Sequence, residues 1–295
     1  MSRDSATRPV LGAETRMGPV ELLVGDLDAQ LGFYRDVVAL DLIRTDRDTH
    51  VLGRGGVETM TLTPARDLPP LRRNDAGLFH TAVVFDNEQG LAAAIARIAE
   101  SGKGRYTGAA DHLVSKAFYF DDPEGNGVEL YFDRPRDEWR RDSSGKPVMG
   151  AEWIDVNDFV STNLTENEYV APTTAASVGH VHLQVGDIPA AQAFYSGVLG
   201  FDVVANMGSA LFVSAGGYHH HIGLNTWNSR GAGPRAAALG LGSMDIVLAP
   251  DDVVGLRERL ASGGVAVADD GVTLRFNDPW GSQIRVSSDM TKPRG

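Results

Sequence analysis

The 295-residue sequence contains no cysteine, and this absence excludes disulfides, thiolate metal sites and cysteine nucleophiles. It also lacks any apolar run of the roughly 18 residues that a transmembrane helix needs, so we expect no interaction with a membrane. Residues 1–15 are polar and contain no apolar stretch of the kind found in signal peptides. We therefore expect a cytoplasmic protein.

Positive charge is scarce as well. The chain has 27 Lys and Arg against 39 Asp and Glu, a net charge of −12. Contacts with phosphates need clustered Lys and Arg, so this balance argues against nucleic acid as a partner. The apolar share of 42% is that of an ordinary globular protein, and the length is sufficient for a sizeable core. We expect a small-molecule partner.

Internal repeats organise the chain. Residues 18–26 read GPVELLVGD and residues 179–187 read GHVHLQVGD, at an offset of 161. The same offset relates Phe33-Tyr34 to Phe194-Tyr195. A second pair, DDPEGNGVEL and NDPWGSQIRV, begins at positions 121 and 277. Together these landmarks define four modules, at residues 17–64, 77–132, 178–228 and 239–288.

Each module has the same local plan. In the third, an alternating strand from His180 precedes Asp187, a typical helix N-cap, and Gly200 lies where the helix should end. Short strands with glycine turns follow, which gives βαβββ and an α+β fold class. We expect an N-terminal half at 17–132, a linker at 133–177 with at most a short helix near 153–160, and a C-terminal half at 178–288.

This plan, with Phe-Tyr after the first strand and Asp-Pro-x-Gly before the last, resembles the vicinal-oxygen-chelate superfamily of glyoxalases, bleomycin-resistance proteins and extradiol dioxygenases. The resemblance covers nearly the whole chain outside the linker. It implies modules paired into two cupped half-barrels, with metal ligands at the start of the first strand and near the end of the last strand.

The implied ligand positions differ between the modules. His80 and His180 begin first strands and Glu129 lies on a last strand, whereas the other positions hold residues that cannot be the expected ligands, namely Pro19, Ser243 and Arg285. The resemblance therefore implies one metal on His80, Glu129 and His180, with modules 2 and 3 paired around it and modules 1 and 4 paired around an empty site. Taken alone, each of these three residues would more commonly have a structural role. Two imidazoles and a carboxylate suit iron(II), with manganese(II) as the second candidate.

A longer motif narrows the class. Residues 112–129, HLVSKAFYFDDPEGNGVE, resemble the extradiol dioxygenase signature. The resemblance implies that Tyr119 and His112 bind a substrate hydroxyl and line the oxygen side. The alternative for Tyr119 is a structural aromatic residue of the barrel.

The run YHHHIGLN at residues 218–225 is the other unusual feature. We expect it to form a strand, and alternation would place His220 on one face and His219 and His221 on the other. The surrounding residues 209–227 resemble a minority branch of catechol 2,3-dioxygenases from bacilli, and related enzymes use a histidine on this strand as acid–base. His220 is the first candidate and His221 the second; a structural histidine cluster is the alternative.

The sequence therefore predicts an extradiol ring-cleaving dioxygenase that acts on a small aromatic diol with dioxygen. The alternatives are a glyoxalase-type lyase, isomerase or thiol transferase, and a non-enzymatic drug-binding protein. The particular catechol and a homo-oligomeric state stay open, and Phe79, Phe201, Trp153 and Trp227 are candidates for the pocket.

Overall fold

Four βαβββ modules follow one another in the computed structural model, which describes residues 11–288. The first two modules comprise ten elements: β1 (Arg16–Val24), α1 (Leu27–Tyr34), β2 (Asp41–Asp46), β3 (Thr49–Arg54), β4 (Val57–Pro64), β5 (Gly77–Phe85), α2 (Glu88–Ser101), β6 (Arg105–Asp111), β7 (Ser115–Asp121) and β8 (Gly127–Asp133).

The third and fourth modules repeat the order. Their elements are β9 (Ala176–Gln184), α5 (Ile188–Gln192), β10 (Asp202–Asn206), β11 (Ala210–Ser214), β12 (Ile222–Asn225), β13 (Gly240–Leu248), α6 (Pro250–Ser262), β14 (Ala268–Asp269), β15 (Thr273–Asn277) and β16 (Gln283–Ser288). A π-helical segment, Ala193–Val198, continues α5.

The strands form two eight-stranded sheets. One has the order β14-β15-β16-β13-β1-β4-β3-β2 and joins modules 1 and 4; the other has the order β10-β11-β12-β9-β5-β8-β7-β6 and joins modules 2 and 3. In each sheet the two modules meet along antiparallel first strands, β1 with β13 and β5 with β9. The α+β fold class and the predicted pairing of modules are confirmed.

Local sequence explains where the helices begin. Asp26, Asn87 and Asp187 each accept a hydrogen bond from the backbone N–H three residues later, which satisfies a donor that the helix leaves unpaired. The helices α1, α2 and α5 thus start directly after the first strands of their modules. A single buried apolar cluster contains residues from both sheets, such as Leu22 of β1 and Val181 of β9.

The segment between β8 and β9 contains two short helices, α3 (Val156–Asn163) and α4 (Glu166–Val170). The expected helix near 153–160 thus begins later, since Asp155 caps it, and α4 was not predicted. Both helices pack against α2 of module 2, and the buried carboxylate of Glu168 lies 3.1 Å from Arg54 of β3 in module 1. Within residues 11–288, no helix is long and apolar enough to cross a membrane.

Candidate active site

The centre of the second sheet brings three ligand-type side chains to one face. Ala82 of β5 pairs with Glu129 of β8 on one side and with His180 of β9 on the other. His80 is two residues before Ala82 and therefore shares its face. The sheet register itself gathers His80, Glu129 and His180.

These side chains are buried and close together. Oε2 of Glu129 lies 3.0 Å from Nε2 of His80 and 3.0 Å from Nε2 of His180. The potential ligand atoms all lie within 4.8 Å of one another, and this is the one such group that the described part of the chain contains.

The chemistry of these atoms suits a divalent cation. Nε2 of His80 is buried without a hydrogen-bond partner, because its contact with Glu129 lacks hydrogen-bond geometry. A buried unpaired nitrogen is costly, and a metal ion would satisfy it. One carboxylate and two imidazole nitrogens form the ligand set typical of non-haem iron(II) sites. The residues fit the implied metal.

The pKa values of Glu129 and His180 are shifted in the directions that favour metal binding. Burial alone would raise the pKa of Glu129, but His180 and His80 outweigh it and hold that pKa well below its usual range. Burial lowers the pKa of His180, which favours the neutral imidazole. A metal binds the ionised carboxylate and the neutral imidazole, and these are the forms that the two pKa shifts favour.

A cavity of about 720 Å³ opens over this cluster. Much of its wall is apolar and aromatic, with Phe79, Phe212, Trp227, Met149 and Met207 among the lining residues. No Lys or Arg of residues 11–288 lines it. The volume lies in the range of small-molecule sites.

His112 and Tyr119 form a second polar group in the cavity wall. Nδ1 of His112 lies 2.7 Å from the carbonyl oxygen of Gly150, and its Nε2 lies 2.7 Å from the Tyr119 hydroxyl. A carbonyl can only accept, so Nδ1 carries the proton, and in the neutral ring Nε2 accepts from Tyr119. Burial raises the pKa of Tyr119 well above its usual value, and the neighbouring Glu129 raises it further, so the phenol stays protonated.

The histidine tract departs from our expectation. Residues 218–221 do not extend a strand; β12 begins at Ile222. The cause is a turn in which Gly216 and Gly217 both have positive φ, which removes strict alternation. His219 and His220 therefore both line the cavity, whereas His221 does not.

The three histidines of the tract have different surroundings. The His220 ring lies over that of His180, with ring centroids 4.0 Å apart. Nδ1 of His221 faces the other way and accepts a hydrogen bond from the backbone N–H of Ala215. Burial lowers the pKa of His220 well below its usual value and that of His221 to about 3.

His182 also lines the cavity and was not among our candidates. Its ring centroid lies 4.9 Å from that of His80, and its Nε2 lies 3.0 Å from Nδ2 of Asn225, an amide group that donates. The signal was present in the sequence: His182 follows His180 by two residues on one strand and so shares its face. Of the aromatic candidates, Phe79 and Trp227 line the cavity, but Phe201 is buried elsewhere and Trp153 is 82% exposed.

The corresponding region of the first sheet carries different chemistry. The Ser243 hydroxyl donates to Glu21 at 3.0 Å, and Arg285 donates to Asp245 at 2.7 Å. The first contact joins modules 1 and 4, and the second lies within module 4.

Comparison with known proteins points to one family. The model of the Glyoxalase/Bleomycin resistance protein/Dioxygenase superfamily matches residues 16–130 and 177–286. A catechol-2,3-dioxygenase of Bacillus subtilis (strain 168) is 37% identical over 273 residues, 90% of this chain and 94% of the relative.

Solved structures share the fold at low identity. A Bacillus subtilis protein classed provisionally as a dioxygenase superposes with a TM-score of 0.65 at 15% identity, over 96% of this chain and 87% of its own. Glyoxalase I from Zea mays superposes with a TM-score of 0.55 at 16% identity, over 93% and 92% of the two chains. At such identities the likeness concerns the fold alone.

Proposed function

We propose that this chain, which belongs to the Glyoxalase/Bleomycin resistance protein/Dioxygenase superfamily, is an extradiol dioxygenase that opens the ring of a catecholic substrate with dioxygen. The match to the Bacillus subtilis catechol-2,3-dioxygenase shows an enzyme of the vicinal-oxygen-chelate superfamily. The observation that supports extradiol cleavage is the buried cluster of His80, Glu129 and His180 beneath an apolar cavity.

His80, Glu129 and His180 would hold iron(II), with manganese(II) as the second candidate. Such an ion, when bound, supplies open coordination positions at which a catechol and dioxygen can be held side by side. Glu129 contributes one negative charge and the imidazoles none.

The other polar residues of the wall would handle the protons. The Tyr119 hydroxyl donates to His112, so the lone pairs of its oxygen stay available to accept a bond from a substrate hydroxyl. His220 lies against His180 and is the candidate that accepts the proton released when the catechol ionises. His221 ranks behind it, because its ring does not line the cavity.

The wall also indicates the kind of catechol. No Lys or Arg of residues 11–288 lines it, so a substrate carboxylate would find no cationic side chain in the wall. Burying an unpaired charge is costly, whereas Phe212, Met207 and Trp227 offer apolar contact area. We infer an uncharged catechol with an apolar substituent.

The experiment is anaerobic loading with iron(II), followed by oxygen uptake with a panel of catechols. Uncharged alkyl- or aryl-catechols should be cleaved with a kcat/KM at least about tenfold above that of carboxylated catechols, since each 1.4 kcal/mol is a factor of ten. Metal binding without oxygen uptake on any catechol would instead favour a lyase or isomerase on the same scaffold.

A further inference from the structure

A chain of hydrogen bonds connects His220 through His219 to Asp133 of β8. Nδ1 of His220 lies 2.8 Å from Nδ1 of His219, and Nε2 of His219 lies 2.9 Å from Oδ1 of Asp133. The Tyr218 hydroxyl donates to Oδ2 of the same carboxylate at 2.6 Å, and the Tyr131 hydroxyl lies 2.8 Å from Tyr218.

The direction of each hydrogen bond follows from the carboxylate of Asp133, which anchors the chain. A carboxylate only accepts, so both Tyr218 and Nε2 of His219 donate to Asp133. Tyr218 has then used its one proton, and Tyr131 must donate to it. A neutral His219 with its proton on Nε2 has an unprotonated Nδ1, which accepts a hydrogen bond from Nδ1–H of His220.

We propose that Asp133 and His219 fix the tautomer of His220, so that His220 carries its proton on Nδ1 and keeps Nε2 free as the acceptor for the cavity. The proposal rests on the proposed function, in which His220 accepts a substrate proton. Asp133 and His219 are positioning residues, because they act through His220.

The anchor is built into the strand that carries the candidate metal carboxylate. Glu129, Tyr131 and Asp133 alternate along β8 and so share one face. Tyr131 is fully buried, and a Cβ at Gly179 would collide with its hydroxyl, so a side chain there would disturb the anchor.

One competing protonation state makes the proposal testable. If His219 carried protons on both nitrogens, its Nδ1 would donate to Nδ1 of His220, and the proton of His220 would lie on Nε2. His220 would then present a donor to the cavity instead of an acceptor. The two arrangements differ in which nitrogen of His220 is protonated.

The test is long-range 1H–15N NMR on the zinc(II)-loaded protein with 15N-labelled histidine, which assigns the protonated nitrogen of each ring without turnover. We expect His220 to be protonated on Nδ1 in the wild type. In His219→Leu the acceptor is gone, so the Nε2-protonated form should appear. His219→Gln retains an acceptor and a donor in one planar group, and it should preserve the wild-type tautomer.

The iron-loaded variants provide the second readout. The His219→Leu variant should bind iron but have a kcat about tenfold or more below that of the wild type, with little change in KM, as expected for weakened acid–base catalysis. The His219→Gln variant should retain most of the wild-type kcat. A wild-type His220 protonated on Nε2, or an unchanged tautomer in a folded His219→Leu, would overturn the proposal. Failure of the proposed function would be seen separately, as a wild-type iron protein that consumes no oxygen with any catechol.

Discussion

At the scale of residues, histidine is concentrated in one place. The chain has eight histidines, and all except His50 lie in or directly beside the cavity. Several are enclosed, and burial lowers the pKa values of His180, His182 and His220, which keeps these rings neutral. Neutral imidazoles are what both metal coordination and proton acceptance require.

The triad can be tested by substitution. His80→Ala, Glu129→Ala and His180→Ala should each weaken metal binding by on the order of 100-fold or more, since loss of a ligand should cost at least as much as loss of a supporting hydrogen bond. Metal content after gel filtration measures this. Arg285→Ala at the corresponding position in module 4 should retain the metal. Tight retention in any triad variant would show that the ligands were wrongly chosen.

His220 can be separated from the ligands. His220→Gln should keep iron and catechol binding but lower single-turnover ring opening by on the order of 10² to 10⁴, the usual contribution of an acid–base group. His50→Gln, outside the cavity, is the matched control and should react like the wild type. An unchanged rate in an iron-replete His220→Gln would move the proton-accepting role to another group.

Some of these residues could be predicted from the sequence and others could not. His80, Glu129 and His180 were predicted because they lie at superfamily positions, and the structure brings them within ligand distance of one another. Asp133 was not predicted, because its contact with His219 joins residues 86 apart across the sheet. A local pattern contains no information about such a pair.

At the scale of elements, the alternation of side chains along a strand correctly predicted which residues share a face where the strands are regular. It fails at the histidine tract, because the φ angles of +60° at Gly216 and +68° at Gly217 create a turn before β12. The Gly-Gly pair was visible in the sequence, but its surroundings were not: a Cβ at Gly216 would come within 2.5 Å of Ala13, more than 200 residues earlier in the chain. Similarly, α4 packs against α2, and Arg97 of α2 donates to the carbonyl oxygens of Glu168 and Tyr169, contacts from outside the segment.

The close approach of β9 to Tyr131 gives a prediction at this scale. Gly179→Ala should destabilise the fold by about 1–3 kcal/mol, because its Cβ would overlap the buried Tyr131 hydroxyl. Urea unfolding measures this. Gly108→Ala on β6, where a Cβ meets nothing within 4 Å, is the control and should be close to neutral. Equal stability of the two variants would mean that Tyr131 moves aside freely.

At the scale of the whole molecule, the order of modules in the chain differs from their pairing in space. Modules 1 and 2 are consecutive, yet each forms its sheet with a module from the other half. The periodic sequence showed four similar units, and the ligand positions implied by the superfamily resemblance indicated which units pair.

This arrangement predicts that neither half folds alone. A fragment of residues 11–132 would expose the edges of β1 and β5, which pair with β13 and β9 in the intact chain. We expect such a fragment, and likewise residues 176–288, to lack cooperative thermal unfolding, while the two expressed together should form a complex. A cooperatively folded monomeric half would contradict the shared sheets.

Buried histidine also links stability to pH. Burial lowers the pKa of His221 to about 3, against about 6.5 in the unfolded chain. Below pH 6.5 the unfolded chain therefore binds a proton that the folded chain does not, and the free energy of unfolding falls as pH falls, by about 1.4 kcal/mol per pH unit for this group.

The matched variant is His221→Asn, whose amide oxygen can accept from the N–H of Ala215 as Nδ1 does. Between pH 7.5 and 5.5, the metal-free variant should lose about 1.4 kcal/mol less stability than the metal-free wild type, as measured by urea unfolding. An identical pH dependence would mean that His221 titrates normally in the folded protein.

In the proposed function, one metal held by modules 2 and 3 supports cleavage of a catechol. The most direct measurement is oxygen uptake with an uncharged alkylcatechol as iron(II) is added anaerobically in increments to metal-free protein. We predict a linear rise to one equivalent of iron per chain and a plateau beyond it. A rise that continues to two equivalents, or no uptake at any iron concentration, would contradict it.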